Sequence, residues 1–109
     1  MNMPHPLTIL TGASRGLGAA IAEQLVRRRA ALLTMSRHPD PTLDAKAIEA
    51  GASLEQWSID LADGVSASAR LETWLRSRPH AFSSATLINN AALAGKAAPI
   101  GESDSSALA

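Results

Sequence analysis

Three glycines, at positions 12, 16 and 18, lie within Thr11-Gly12-Ala13-Ser14-Arg15-Gly16-Leu17-Gly18, directly after the apolar run Leu7-Thr8-Ile9-Leu10. They precede a segment in which Ile21, Leu25 and Val26 form an apolar stripe at helical spacing. A strand that turns through glycines into a helix is suited to holding a phosphate. Gly12 permits a tight turn at the carboxyl end of the strand, Gly16 leaves room for a pyrophosphate to approach the backbone, and Gly18 lets the helix pack closely on a sheet. The first N–H groups of the helix and the positive end of its dipole then face the phosphates. A triphosphate-cleaving loop would need Gly-Lys-Ser/Thr after its spacer, whereas Gly16 is followed by Leu17 and Gly18 by Ala19. Triphosphate hydrolysis is disfavoured, and the plain alternative is a glycine-rich connector that binds nothing.

Other chemistries find little support. The chain has no cysteine, so disulfides and thiolate metal sites are excluded, and His5, His38 and His80 are too far apart to read as metal ligands. Lysine plus arginine equal aspartate plus glutamate at 10 each, which leaves no basic field for nucleic acid or an acidic membrane surface. The one basic cluster, Arg27-Arg28-Arg29, reads as the end of the first helix, where cations complement the dipole. No apolar run approaches the roughly 20 residues needed to span a bilayer, and MNMPHP lacks the features of a secretory leader. A soluble, cytoplasmic protein with no membrane partner is expected.

The elements that must position the glycines follow from alternation along the chain. A strand at 7–10 leads through the glycine turn to a helix over about 16–29, and Ala31-Leu32-Leu33-Thr34-Met35 is apolar enough for a strand buried on both faces. Asp40 and Pro41 fit the N-cap and first position of a second helix that Gly51 stops. A third strand lies within 54–59. Residues 60–78 read as a strand end and then a helix with Leu71, Trp74 and Leu75 on one side, stopped by Pro79. Trp57 and Trp74 read as core residues rather than a stacking platform. A fourth strand covers 85–88, a loop 94–101, and a helix barely begins in the last eight residues. The result is one α/β domain over 1–109, with 1–6 as a flexible N-terminus. It is a Rossmann-like parallel sheet with helices on both faces, β-α-β-α-β-α-β in strand order 3-2-1-4, short for a complete two-half fold.

The glycine motif, Asp60-Leu61 after the third strand and Asn89-Asn90-Ala91-Ala92 after the fourth resemble, in order and separation, the classical short-chain dehydrogenases/reductases. The resemblance spans nearly the whole chain but only the N-terminal, cofactor-binding portion of such proteins. It implies that Asp60 contacts the adenine with Leu61 beside it, and that Asn89, Asn90 and Ala91 support the sheet and border the cofactor ribose. Without the resemblance, Asp60 reads equally well as a helix cap. Ala92 departs from the family's usual glycine, and the backbone there has less access to positive φ.

The reaction implied is hydride exchange between a nicotinamide and a small carbonyl or alcohol, with a tyrosine, a lysine and a serine beyond the fifth strand as the catalytic group. This sequence contains no tyrosine, so no catalytic residue is assigned in it. Lys96 and Ser103 read as loop surface and a helix cap. The resemblance leaves a homo-oligomer open for the complete protein, whose substrate and oligomeric state the sequence does not give, and the chain is expected to be a truncated portion inactive by itself.

Charge decides the cofactor. An NAD site places an acid about 20 residues beyond the glycine turn to bind the ribose hydroxyls. Here Ser36-Arg37 stand at that place, so Arg37 can face an adenosine 2′-phosphate, Ser36 can add a hydroxyl, and Arg15, with Ser14 beside it in the glycine turn, can approach from the other side. NADP(H) is expected over NAD(H). Two readings from other classes stay open: a stand-alone nucleotide-binding or interaction module, and, more weakly, an S-adenosylmethionine site, which would also favour an acid after the second strand.

Overall fold

The computed structural model describes residues 4–13 and 15–90. Leu7, Ile9 and Leu10 anchor β1 (His5–Thr11), which is followed by α1 (Gly16–Arg27), β2 (Ala31–Ser36), α2 (Pro41–Ala50), β3 (Leu54–Ser58), α3 (Gly64–Arg76) and β4 (Phe82–Asn89). The four strands form one parallel sheet in the order β3-β2-β1-β4. This is the expected Rossmann-like arrangement. All six residues of β2 are buried, as befits a central strand covered on both faces.

Alternation along the strands divides the core into two layers. Leu10 and Leu32 meet Ala22 and Val26 of α1 and Leu43 and Ala47 of α2 on one face. Leu7, Ile9, Leu33, Met35 and Trp57 form the other face, against Leu71, Trp74 and Leu75 of α3. Trp57 and Trp74 meet edge to face with centroids 5.7 Å apart, so both tryptophans serve the core as expected. Glu23 of α1 binds Lys46 of α2 at 3.2 Å, and that ammonium, aided by Arg27, holds the Glu23 carboxyl below its ordinary value.

Several boundaries differ from the sequence expectation for local reasons. His5 and Pro6, placed in a flexible terminus from sequence, are the first residues of β1. His5 pairs with Phe82 of β4 and meets its ring edge on. Phe82 also stacks on Trp74 at 5.5 Å, which extends β4 upstream of the expected 85–88 through two serines that carry no apolar signal. The third helix begins at Gly64 with Asp63 as its cap, accepting from the Ser66 amide and hydroxyl; these bonds hold the Asp63 carboxyl below its ordinary value. Asp60 is therefore not the cap. It closes the preceding turn, accepting from the amide of Ala62. Asp40 and Pro41 start α2 as expected, with Thr42 donating to the Asp40 carboxylate at 2.9 Å. No described helix is long and apolar enough to cross a membrane. The loop at 94–101, Lys96, Ser103 and the terminal helix lie outside the described residues.

Candidate functional site

A parallel sheet places the carboxyl ends of all its strands along one edge, and the order β3-β2-β1-β4 makes the gap beyond β1 and β4 the point where the chain direction of winding switches. The glycine turn stands there. Gly12 and Gly16 have φ of +71° and +60°, values that side-chain-bearing residues seldom adopt, and the Gly12 amide donates to Met35 O of β2 at 2.9 Å. A Cβ on Gly16 would meet nothing within 4 Å, so the backbone there is open to an approaching group.

Gly18 is the opposite case. A Cβ at that position would collide with the Gly12 carbonyl and lie 2.6 Å from Asn90 Nδ2. Asn90, itself 8% exposed, donates to Gly12 O at 3.0 Å, tying the end of β4 to the turn that leads into α1. One residue earlier, the Thr11 hydroxyl donates to Asn89 Oδ1 at 3.0 Å across the same strand pair. The start of α1 is thus held close over the sheet by Gly18 and by the bond from Asn90 to the turn, while Asn89 ties β4 to β1. Arg15 precedes the helix in extended conformation without capping it by its side chain, and both Arg15 and Leu17 are exposed.

The neighbouring strand ends supply the other candidates. Ser36 closes β2 and is only 5% exposed, whereas Arg37 projects from the following loop. The Arg37 guanidinium lies 3.7 Å from Asp60, which follows β3. Leu61, half-buried, packs with the α3 side of the core. Ser14 and Ala91 lie outside the described residues. Among the described residues, no group of three or more histidines or carboxylates is placed to hold a metal.

The fold that carries this glycine turn recurs in other proteins. The family model described as short chain dehydrogenase matches residues 7–108. The chain belongs to this short-chain dehydrogenase family. A short-chain dehydrogenase/reductase from Burkholderia vietnamiensis is 37% identical, with a TM-score of 0.70 over 92% of this chain and 45% of that one. A metagenomic short-chain oxidoreductase solved in complex with NADP is 27% identical, with a TM-score of 0.59 over 69% of this chain and 34% of that one. A 3-oxoacyl-[acyl-carrier protein] reductase from Brucella melitensis, solved with NAD, shares the fold at 24% identity and a TM-score of 0.57, over 70% of this chain and 30% of that one. No curated protein matches the sequence. The chain spans less than half the length of each of these solved structures.

Within this short-chain dehydrogenase fold, sequence reasoning missed three contributors. Thr11 stood in the sequence only as the first residue of the glycine motif, and its bond to Asn89 depends on the β1–β4 register. Gln56 and Ser58 carried no signal in the sequence. They act on the loop after β2, Gln56 through both atoms of its amide and Ser58 through its hydroxyl.

Proposed function

We propose that this chain is the NADP(H)-binding portion of a short-chain oxidoreductase that exchanges hydride between nicotinamide and a small carbonyl or alcohol, with its proton-handling group outside these 109 residues. The observation that carries the reading is the close packing of Gly18 on Gly12 and Asn90, which a single Cβ would break, beside the open backbone at Gly16. Backbone N–H groups at the start of α1 face the pyrophosphate, and Gly16 leaves its approach open. Leu17, 65% exposed, offers apolar surface beside them. Arg15 and Arg37 approach the adenosine 2′-phosphate as planar charged forks. Ser36 is the lesser partner because it is buried, so Arg37 provides most of the discrimination.

Asp60 binds the adenine side with Leu61 behind it, and in the free protein its carboxylate is the partner that the 2′-phosphate displaces from Arg37. Asn89, Asn90 and Ala91 border the ribose, and Ser14 accompanies Arg15 in the glycine turn. The bound nicotinamide supplies the hydride. A proton donor for the developing alkoxide is also needed, and on this reading it is a group outside the 109 residues, none of which is tyrosine. Cytoplasmic location and homo-oligomerisation of the complete protein belong to the same reading.

Fluorescence titration of the chain with NADPH and NADH tests the cofactor assignment. NADPH is expected to bind more tightly, and Arg37→Asp to weaken NADPH about ten- to hundredfold with a much smaller effect on NADH, since a charge-assisted phosphate contact becomes a repulsion. Equal affinities in the wild-type chain would overturn it. Carbonyl reduction by the purified 109-residue chain would overturn the placement of the proton donor elsewhere.

A further inference from the structure

Arg37 has an exposed side chain but an anchored backbone. β3 lies beside β2 in parallel register, with Thr34 opposite Gln56 and Ser36 opposite Ser58. Side chains at 54, 56 and 58 alternate with Trp57, so Gln56 and Ser58 fall on the side of the sheet where Leu54 joins the α1 and α2 layer. From there Gln56 grips Asp40 at both backbone atoms: its Oε1 accepts from Asp40 N at 3.0 Å and its Nε2 donates to Asp40 O at 2.8 Å. The Ser58 hydroxyl donates to Arg37 O at 2.9 Å, and the Ile59 amide donates to Ser36 O at 2.9 Å. The loop from Arg37 to Asp40 is therefore fixed at its two ends by one neighbouring strand.

The two anchors act at different points. Gln56 holds the residue that caps α2, so it fixes where the loop ends and the helix begins. Ser58 holds the residue whose guanidinium faces Asp60. Among the described residues, the Arg37 side chain makes a long, exposed ion pair at 3.7 Å, worth little by itself. Its position is set by the backbone beneath it.

We infer that Gln56 and Ser58 are positioning residues for nucleotide selection: they hold the Arg37–Asp40 backbone so that Arg37 is ready to receive a 2′-phosphate. A preorganised guanidinium binds its anion without first ordering a loop, so loosening either anchor lowers affinity for the phosphate-bearing ligand selectively. This inference rests on the NADP(H) reading.

The test compares adenosine 2′,5′-bisphosphate with ADP, by calorimetric titration of the 109-residue chain. Gln56→Met, similar in length but unable to hydrogen bond, and the milder Ser58→Ala are each compared with the wild type. Their circular dichroism and melting curves report folding. Each substitution is expected to raise the dissociation constant for the bisphosphate three- to tenfold while changing that for ADP less than twofold. In an Arg37→Ala background, where there is no guanidinium to position, the same substitutions should change the ratio of the two constants less than twofold.

Loss of both ligands in parallel, an unchanged ratio in folded Ser58→Ala, or the same selective loss without Arg37 would each overturn the inference. A wild-type chain that fails to prefer the bisphosphate overturns the NADP(H) reading, and the inference with it. A wild-type preference left undiminished by both substitutions overturns the inference alone.

Discussion

Gly18 shows how much one absent methyl group decides. Alanine is the better helix former by about 1 kcal/mol, so Gly18→Ala would stabilise α1 if only propensity mattered. The added Cβ would strike the Gly12 carbonyl, which is backbone and cannot swing aside, and would crowd the Asn90 amide that binds that carbonyl. Overpacking of this kind costs about 1–3 kcal/mol and outweighs the propensity gain. Gly18→Ala is therefore expected to lower the urea midpoint and to weaken NADPH binding, and an unchanged midpoint would contradict the close approach. The glycine itself was legible in the sequence because its spacing from Gly12 and Gly16 falls between a strand and a helix. Its partner Asn90 lies 78 residues away from Gly12, and their contact follows only from the pairing of β1 with β4. Ser36 was legible as a polar strand end, but its burial depends on the neighbouring β3 and the loop that follows.

The helix ends separate what local sequence reports from what it does not. α2 closes at Gly51, with φ of +72°, whose amide bonds to Ile48 O while the Ala52 amide bonds to Ala47 O. α1 closes with the same pattern, Arg29 N to Val26 O and Ala30 N to Leu25 O, but Arg29 stands in the left-handed position at φ +59°. A glycine stop is visible in a sequence, whereas an arginine doing the same task reads as one more helical residue; hence the expected end at Arg29 and the observed end at Arg27. The left-handed conformation costs a residue with a Cβ about 1–2 kcal/mol, partly offset by the greater freedom glycine has when unfolded. Arg29→Gly is expected to stabilise the protein by about 0.5–1 kcal/mol, read as a higher melting temperature with no change in nucleotide affinity. A melting temperature at or below the wild type would contradict this reading of the helix end. The cap of α3 carries a similar lesson, since Asp60 and Asp63 both precede the helix and only the hydrogen bonds distinguish the turn residue from the cap.

At the scale of the whole molecule, strand order gathers the site. Gly12, Ser36, Asp60 and Asn89 stand far apart in the chain, yet each follows or ends a strand of one parallel sheet, so all four arrive at its carboxyl edge. Alternating strands and amphipathic helices were enough to read a parallel sheet with right-handed crossovers, and the order 3-2-1-4 followed from the dinucleotide-fold pattern that the glycine turn suggests. The amino edge is a separate place, where Leu7, Ser53, Trp74, Arg78 and Phe82 line a small cavity. The central claim is that the carboxyl edge, and not any other surface, receives the dinucleotide. Titration of the isotopically labelled chain with NADPH, followed by amide resonances in two-dimensional NMR, tests it most directly. Saturable shifts are expected at Gly12, at Arg15 to Gly18, at Ser36 and Arg37, at Asp60 and at Asn89 and Asn90. Shifts confined to Leu7, Ser53, Trp74, Arg78 and Phe82, or none with millimolar NADPH on a folded chain, would contradict it.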